Sequence, residues 1–83
     1  MKYVVYTTKD CPRCEQVKKV LGGWDTDFET VDMSSAEALT ELRINGVFTL
    51  TAPVLRVEKD FYTIDDLFEG DVIKDLEKMG LRR

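Results

Sequence analysis

The 83-residue sequence contains no histidine, two cysteines and two prolines. A structural zinc site needs four ligands, usually Cys or His, so one chain could complete it only by recruiting carboxylates. Two cysteines are also too few for a disulfide-scaffold protein, which holds four to eight at spread positions. A bridge between positions 11 and 14 closes so short a loop that it removes little chain entropy, and stapling is a poor reason for it. No apolar run approaches the roughly 20 residues that span a bilayer. The segment Met1–Tyr6 has one positive charge and a short β-rich run, without the long apolar stretch and small-residue cleavage site of a secretory signal. A cytoplasmic protein with no membrane partner is expected. The net charge of −4 argues against a nucleic-acid partner, because phosphate binding needs a basic patch.

What is present is the composition of a soluble globular chain, with 43% hydrophobic and 34% charged residues. One domain over residues 1–83, expected to be a monomer, is all this length allows. Charge is unevenly placed. Lys2, Lys9, Arg13, Lys18 and Lys19 outnumber Asp10 and Glu15 in the first twenty residues, while the remainder is acidic. Ordinary solvated surface explains this; a locally positive site favouring a thiolate or an acidic partner is the sharper alternative.

Tyr3, Val4, Val5 and Tyr6 form an unbroken β-forming run within a strand predicted over Lys2–Thr7. After the polar turn Thr8-Lys9-Asp10, Cys11-Pro12 begins a helix, since proline is favoured where no backbone donor is needed. Cys14, Val17, Val20 and Leu21 give it an apolar face and Gly22-Gly23 ends it. A second strand covers Phe28–Met33. Ser34-Ser35-Ala36-Glu37 has a capping-box pattern opening a second helix, with Leu39, Leu42 and Ile44 on its buried side and Asn45-Gly46 as its stop. Phe48, Leu50 and the run Val54–Val57 lead to the turn Glu58-Lys59-Asp60, and Phe61–Thr63 returns as a hairpin strand. A final helical stretch is predicted over Ile64–Met79, interrupted near Gly70, with Thr63 and Asp71 as caps. The order strand, helix, strand, helix, strand, strand, helix predicts one mixed four-stranded α/β sheet with flanking helices.

Cys11-Pro12-Arg13-Cys14 carries the chemistry. A thiol attacks only as thiolate, and a helix N-terminus or nearby cations lower a cysteine pKa from about 8.5 to roughly 3.5–7.5. Cys11 sits where unsatisfied backbone N–H groups converge. Arg13 and Lys9 add positive charge, opposed by Asp10. Cys11 is therefore the expected attacker. Cys14, three residues on, lies on the same helix face and suits a resolving thiol that displaces the substrate from a mixed disulfide. A metal or iron–sulfur cluster shared between two chains, and an inert cysteine pair, are the other readings of the motif.

Val5-Tyr6-Thr7-Thr8-Lys9-Asp10-Cys11-Pro12-Arg13-Cys14 before a helix, and Thr51-Ala52-Pro53-Val54 before a hairpin, resemble glutaredoxins, and most of all the small hydrogen donors called NrdH-redoxins. The resemblance covers nearly the whole chain in element order. It implies a minimal thioredoxin fold, with Cys11 as nucleophile, Cys14 as resolving thiol and no cofactor beyond a redox-active disulfide between them. Pro53, otherwise an ordinary start to an edge strand, would follow a cis bond and face the dithiol. Thr51 and Ala52 would then present backbone to an extended substrate, as strand addition does. For the NrdH-redoxin branch the resemblance implies electron delivery to ribonucleotide reductase, with electrons returned by a thioredoxin-reductase-like flavin enzyme or a ferredoxin-dependent iron–sulfur disulfide reductase. The sequence departs from glutaredoxins where they bind glutathione. Arg13 replaces the usual aromatic between the cysteines, and Thr8 stands at the usual cation position. Leu67-Phe68-Glu69-Gly70-Asp71 stands where a Gly-Gly-x-Asp turn is usual. A glutathione-dependent glutaredoxin is therefore the second reading within the class.

Four further features have ordinary readings. Trp24 is expected to pack over a helix end, and Phe48 and Phe68 to pack in the core. Lys18 and Lys19 form a solvated helix face. Asp65-Asp66 supplies favourable charge to a helix's first turn.

Overall fold

In a computed structural model, which describes residues 2–48 and 51–81, the chain begins with β1 (Tyr3–Thr7), α1 (Pro12–Gly23), β2 (Phe28–Asp32) and α2 (Ala36–Ile44). It continues through β3 (Val54–Val57), β4 (Asp60–Tyr62), α3 (Ile64–Leu67), β5 (Phe68–Glu69) and β6 (Val72–Ile73). Strands β1–β4 form one sheet in the order β2-β1-β3-β4. β1 pairs parallel with β2, Tyr3 opposite Phe28, and antiparallel with β3, Tyr6 opposite Val54. β3 and β4 form the expected hairpin, Arg56 opposite Phe61, with Glu58 in the left-handed region at its turn. This is the mixed four-stranded sheet of a minimal thioredoxin fold.

Alternation along β1 builds two cores, because successive side chains of a strand point to opposite faces. Tyr3 and Val5 pack with Val17 and Leu21 of α1, Leu55, Val57, Leu67 and Phe68. Val4 and Tyr6 pack on the other face with Met33, Ala38 and Leu42 of α2, and with Val54. β1 is buried on both faces, which explains its unbroken apolar run. Trp24 caps α1 and meets the Tyr3 ring edge-on, its centroid 6.2 Å away.

Expectations for α2, for Phe48 and for the C-terminal stretch need correction. The N-cap of α2 is Ser35, whose Oγ accepts the Ala38 N–H at 3.1 Å. Ser34 is engaged one turn earlier, donating its N–H and hydroxyl to Asp32, and these bonds hold the Asp32 carboxyl below its ordinary pKa. The buried side of α2 is Ala38 and Leu42; Ile44 is 79% exposed. Ala38 and Leu42, four residues apart, share the face toward the sheet, whereas Ile44 lies about 200° round the helix from Leu42 and Leu39 is only partly buried. Phe48 is also exposed, whereas Phe68 is buried as expected. The reading of Leu50 lies outside the described residues.

The helix expected over Ile64–Met79 is a single turn, α3, followed by a hairpin. Asp66 accepts the Thr63 N–H at 2.9 Å, as a first-turn carboxylate should, so Thr63 is the cap expected of it. Asp71 caps no helix. It sits with Gly70 in the two-residue turn between β5 and β6, Phe68 opposite Ile73. Gly70 has φ +62°, the conformation a tight hairpin turn favours. The β-branched pair Val72-Ile73 then prefers a strand. Leu76 and Leu81 close the α1-side core.

Candidate active site

The dithiol stands just beyond the carboxyl end of β1, where ligands of parallel sheets commonly bind. Cys11 is the N-cap of α1 and Pro12 its first residue, so the missing proline N–H leaves no helical donor unpaired. The Sγ of Cys11 accepts the Cys14 N–H at 3.1 Å. One helical turn brings the two Cα atoms to 5.2 Å, and Cys11 and Cys14 form a disulfide.

The two sulfurs differ in environment. Cys14 is fully buried and joins the α2-side core beside Tyr6, Ala52 and Val54, whereas Val17 and Leu21 of the same helix serve the other core. Cys11 is half-buried and packs against the same group from outside. It opens onto a hollow lined by Thr8, Asp10, Pro12 and Glu15. Asp10, in the left-handed region at φ 55°, turns the chain into the helix.

Of the other predicted residues, Ala52 is brought to the dithiol by the shared core, and Pro53, which follows a cis bond, is buried. Thr51 and Lys9 are exposed. Arg13 reaches across to the C-terminal hairpin, pairing with Asp71. Its guanidinium carbon lies 6.0 Å from the Phe68 ring centre. Sequence reasoning missed this role of Asp71. The available signal was the Gly70-Asp71 dipeptide ahead of the β-branched pair Val72-Ile73, a recognised two-residue hairpin turn.

Among the described residues, no three His, Cys, Asp or Glu side chains converge in a way that could hold a metal ion. No helix among them is long and apolar enough to cross a membrane.

A partly exposed cysteine at a helix N-terminus, bonded to a buried one on a thioredoxin fold, defines the class of the thiol–disulfide oxidoreductases. Residues 3–62 match the glutaredoxin family. The chain belongs to the glutaredoxin family. No curated protein matches it.

Proposed function

We propose that the protein is a dithiol carrier that reduces protein disulfides, with ribonucleotide reductase as the acceptor that its resemblance to NrdH-redoxins implies. The asymmetric burial of the pair carries this reading: Cys11 is accessible and Cys14 is not. The Cys11 thiolate attacks one sulfur of an acceptor disulfide, forming a mixed disulfide and releasing the other sulfur as a thiolate. Cys14, deprotonated, then attacks Cys11 Sγ, forming the Cys11–Cys14 disulfide and releasing the second acceptor thiolate. Two electrons pass to the acceptor. A thioredoxin-reductase-like enzyme or a ferredoxin-dependent disulfide reductase returns them, in a cytoplasmic setting where thiols are kept reduced.

A protein acceptor is favoured over glutathione by the charge beside Cys11. Asp10 and Glu15 line the hollow and Thr8 replaces a cation there, so a glutathione carboxylate meets like charge. In the same proposal Pro12 starts the helix whose N-terminus supports the thiolate, Lys9 and Arg13 flank it, with Arg13 held by Asp71, and Thr51, Ala52 and Pro53 form the docking edge. The test is turnover of a protein disulfide with either a thioredoxin-type reductase or glutathione plus glutathione reductase. Turnover with the first is expected. Efficient turnover driven by glutathione alone would overturn the assignment in favour of a glutathione-dependent glutaredoxin.

A further inference from the structure

The helical turn that carries the dithiol is tied to the β5–β6 hairpin through one side chain. Arg13, between the two cysteines, pairs with Asp71 at the tip of that hairpin. Phe68 lies under its guanidinium at a cation–π distance and is itself buried, so the platform is fixed by the core. Arg13 Nε is buried as well and meets no hydrogen-bond partner among the described residues. The Asp71 side chain is 93% exposed, and among the described residues its ion-pair partner is Arg13.

This contact changes the electrostatics that the local sequence suggests. Among the cations of the first twenty residues, Lys2 faces Glu29, Lys18 faces Glu15 and Arg13 faces Asp71. Asp10 and Glu15 line the hollow at Cys11, so carboxylates stand beside it as well as cations. Arg13 is the one cation among these whose neutralising partner comes from the far end of the chain.

We propose that Asp71 is a specificity-determining residue, holding Arg13 and cancelling its charge so that the carrier discriminates against anionic disulfides. It thereby favours acceptor disulfides flanked by neutral or basic residues. A guanidinium released from Asp71 would offer the forked donors that bind carboxylates well, next to Cys14 and two residues from Cys11. The inference rests on the dithiol reading above and specifies its substrate class.

The test compares alkylation of Cys11 in the reduced protein by iodoacetate, an anion, and by iodoacetamide, which is neutral. In both, the thiolate displaces iodide, so the ratio of rates cancels any change in thiolate fraction and reports the charge the reagent meets. Asp71→Asn should raise the iodoacetate-to-iodoacetamide ratio about two- to five-fold at low salt, the scale of one exposed charge pair, and added salt should diminish the rise. Asp71→Glu should keep the wild-type ratio. In an Arg13→Gln background, Asp71→Asn should have less than half its effect, because it acts by freeing the guanidinium. An unchanged ratio in Asp71→Asn, or an equal rise in both backgrounds, would overturn the inference while leaving the dithiol reading intact. A wild-type Cys11 inert to both reagents would instead overturn the dithiol reading, and this inference with it.

Discussion

The Cys14 N–H points at the Sγ of Cys11 across 3.1 Å, so the buried cysteine supplies a donor to the accessible sulfur as well as a bond. This donor belongs to the backbone and survives replacement of the Cys14 side chain. Cys14→Ser should therefore leave Cys11 reactive but trap a mixed disulfide with a protein substrate, visible by mass spectrometry of the intact adduct. Cys11→Ser should abolish disulfide reduction. Retained activity in Cys11→Ser, or no trapped adduct in Cys14→Ser, contradicts the assigned roles.

The Tyr3 hydroxyl donates to the Leu81 carbonyl at 2.9 Å, joining the first strand to the far end of the described chain. Leu81 is fully buried beside Leu76. Leu81→Ala should cost about 2–5 kcal/mol, the range for a truncated core leucine, and Tyr3→Phe about 1 kcal/mol. Urea unfolding checks both. A cost below that of an ordinary surface substitution at Leu81 would show that this segment contributes little to the core.

Tyr6 titrates high because burial disfavours its phenolate and because its hydroxyl donates to Glu41; Arg56 opposes the shift. Since the folded value lies above the unfolded one, the stabilisation is complete below about pH 10 and is lost as pH rises through the folded value. Wild-type stability should therefore fall above that pH more steeply than that of Tyr6→Phe. Parallel alkaline profiles of the two proteins would remove Tyr6 as the cause.

Ser35 holds the first turn of α2 through its bond to the Ala38 N–H. Ser35→Ala should cost about 0.5–2 kcal/mol, and Ser35→Asp should retain most of the stability. Ser34→Ala, outside the helix, should leave α2 intact and return the Asp32 pKa toward its ordinary value, as followed by carboxyl NMR titration. Equal destabilisation by both serine-to-alanine changes would place the cap elsewhere.

Local chemistry made the first sixty residues legible. A β-forming run, a proline at a helix start and a polar turn between two β-runs act over a few residues, so β1, α1 and the β3–β4 hairpin could be read from neighbours alone. The cap of α2 was harder because the capping-box spacing to Glu37 favours Ser34 over the adjacent Ser35. The bonds from Ser34 to Asp32 take it out of that role and leave Ser35 to accept the Ala38 N–H. Residues 64–79 misled because scattered leucines and carboxylates suit a helix, while Gly70 and the β-branched pair after it favour a turn and a strand.

The Cys-x-x-Cys pair at a proline-started helix, and with it the chemistry to expect, lies within four consecutive residues. What encloses the buried sulfur does not: Ala52 and Val54, about forty positions away, pack in one core with Cys14. The charge around the dithiol is likewise a tertiary outcome. The first twenty residues read as basic by count, yet the carboxylate that meets Arg13 comes from 58 positions further on. Helix starts and turns are set by bonds between neighbours, whereas burial and electrostatics depend on distance through space, and those distances exist only once the chain has folded.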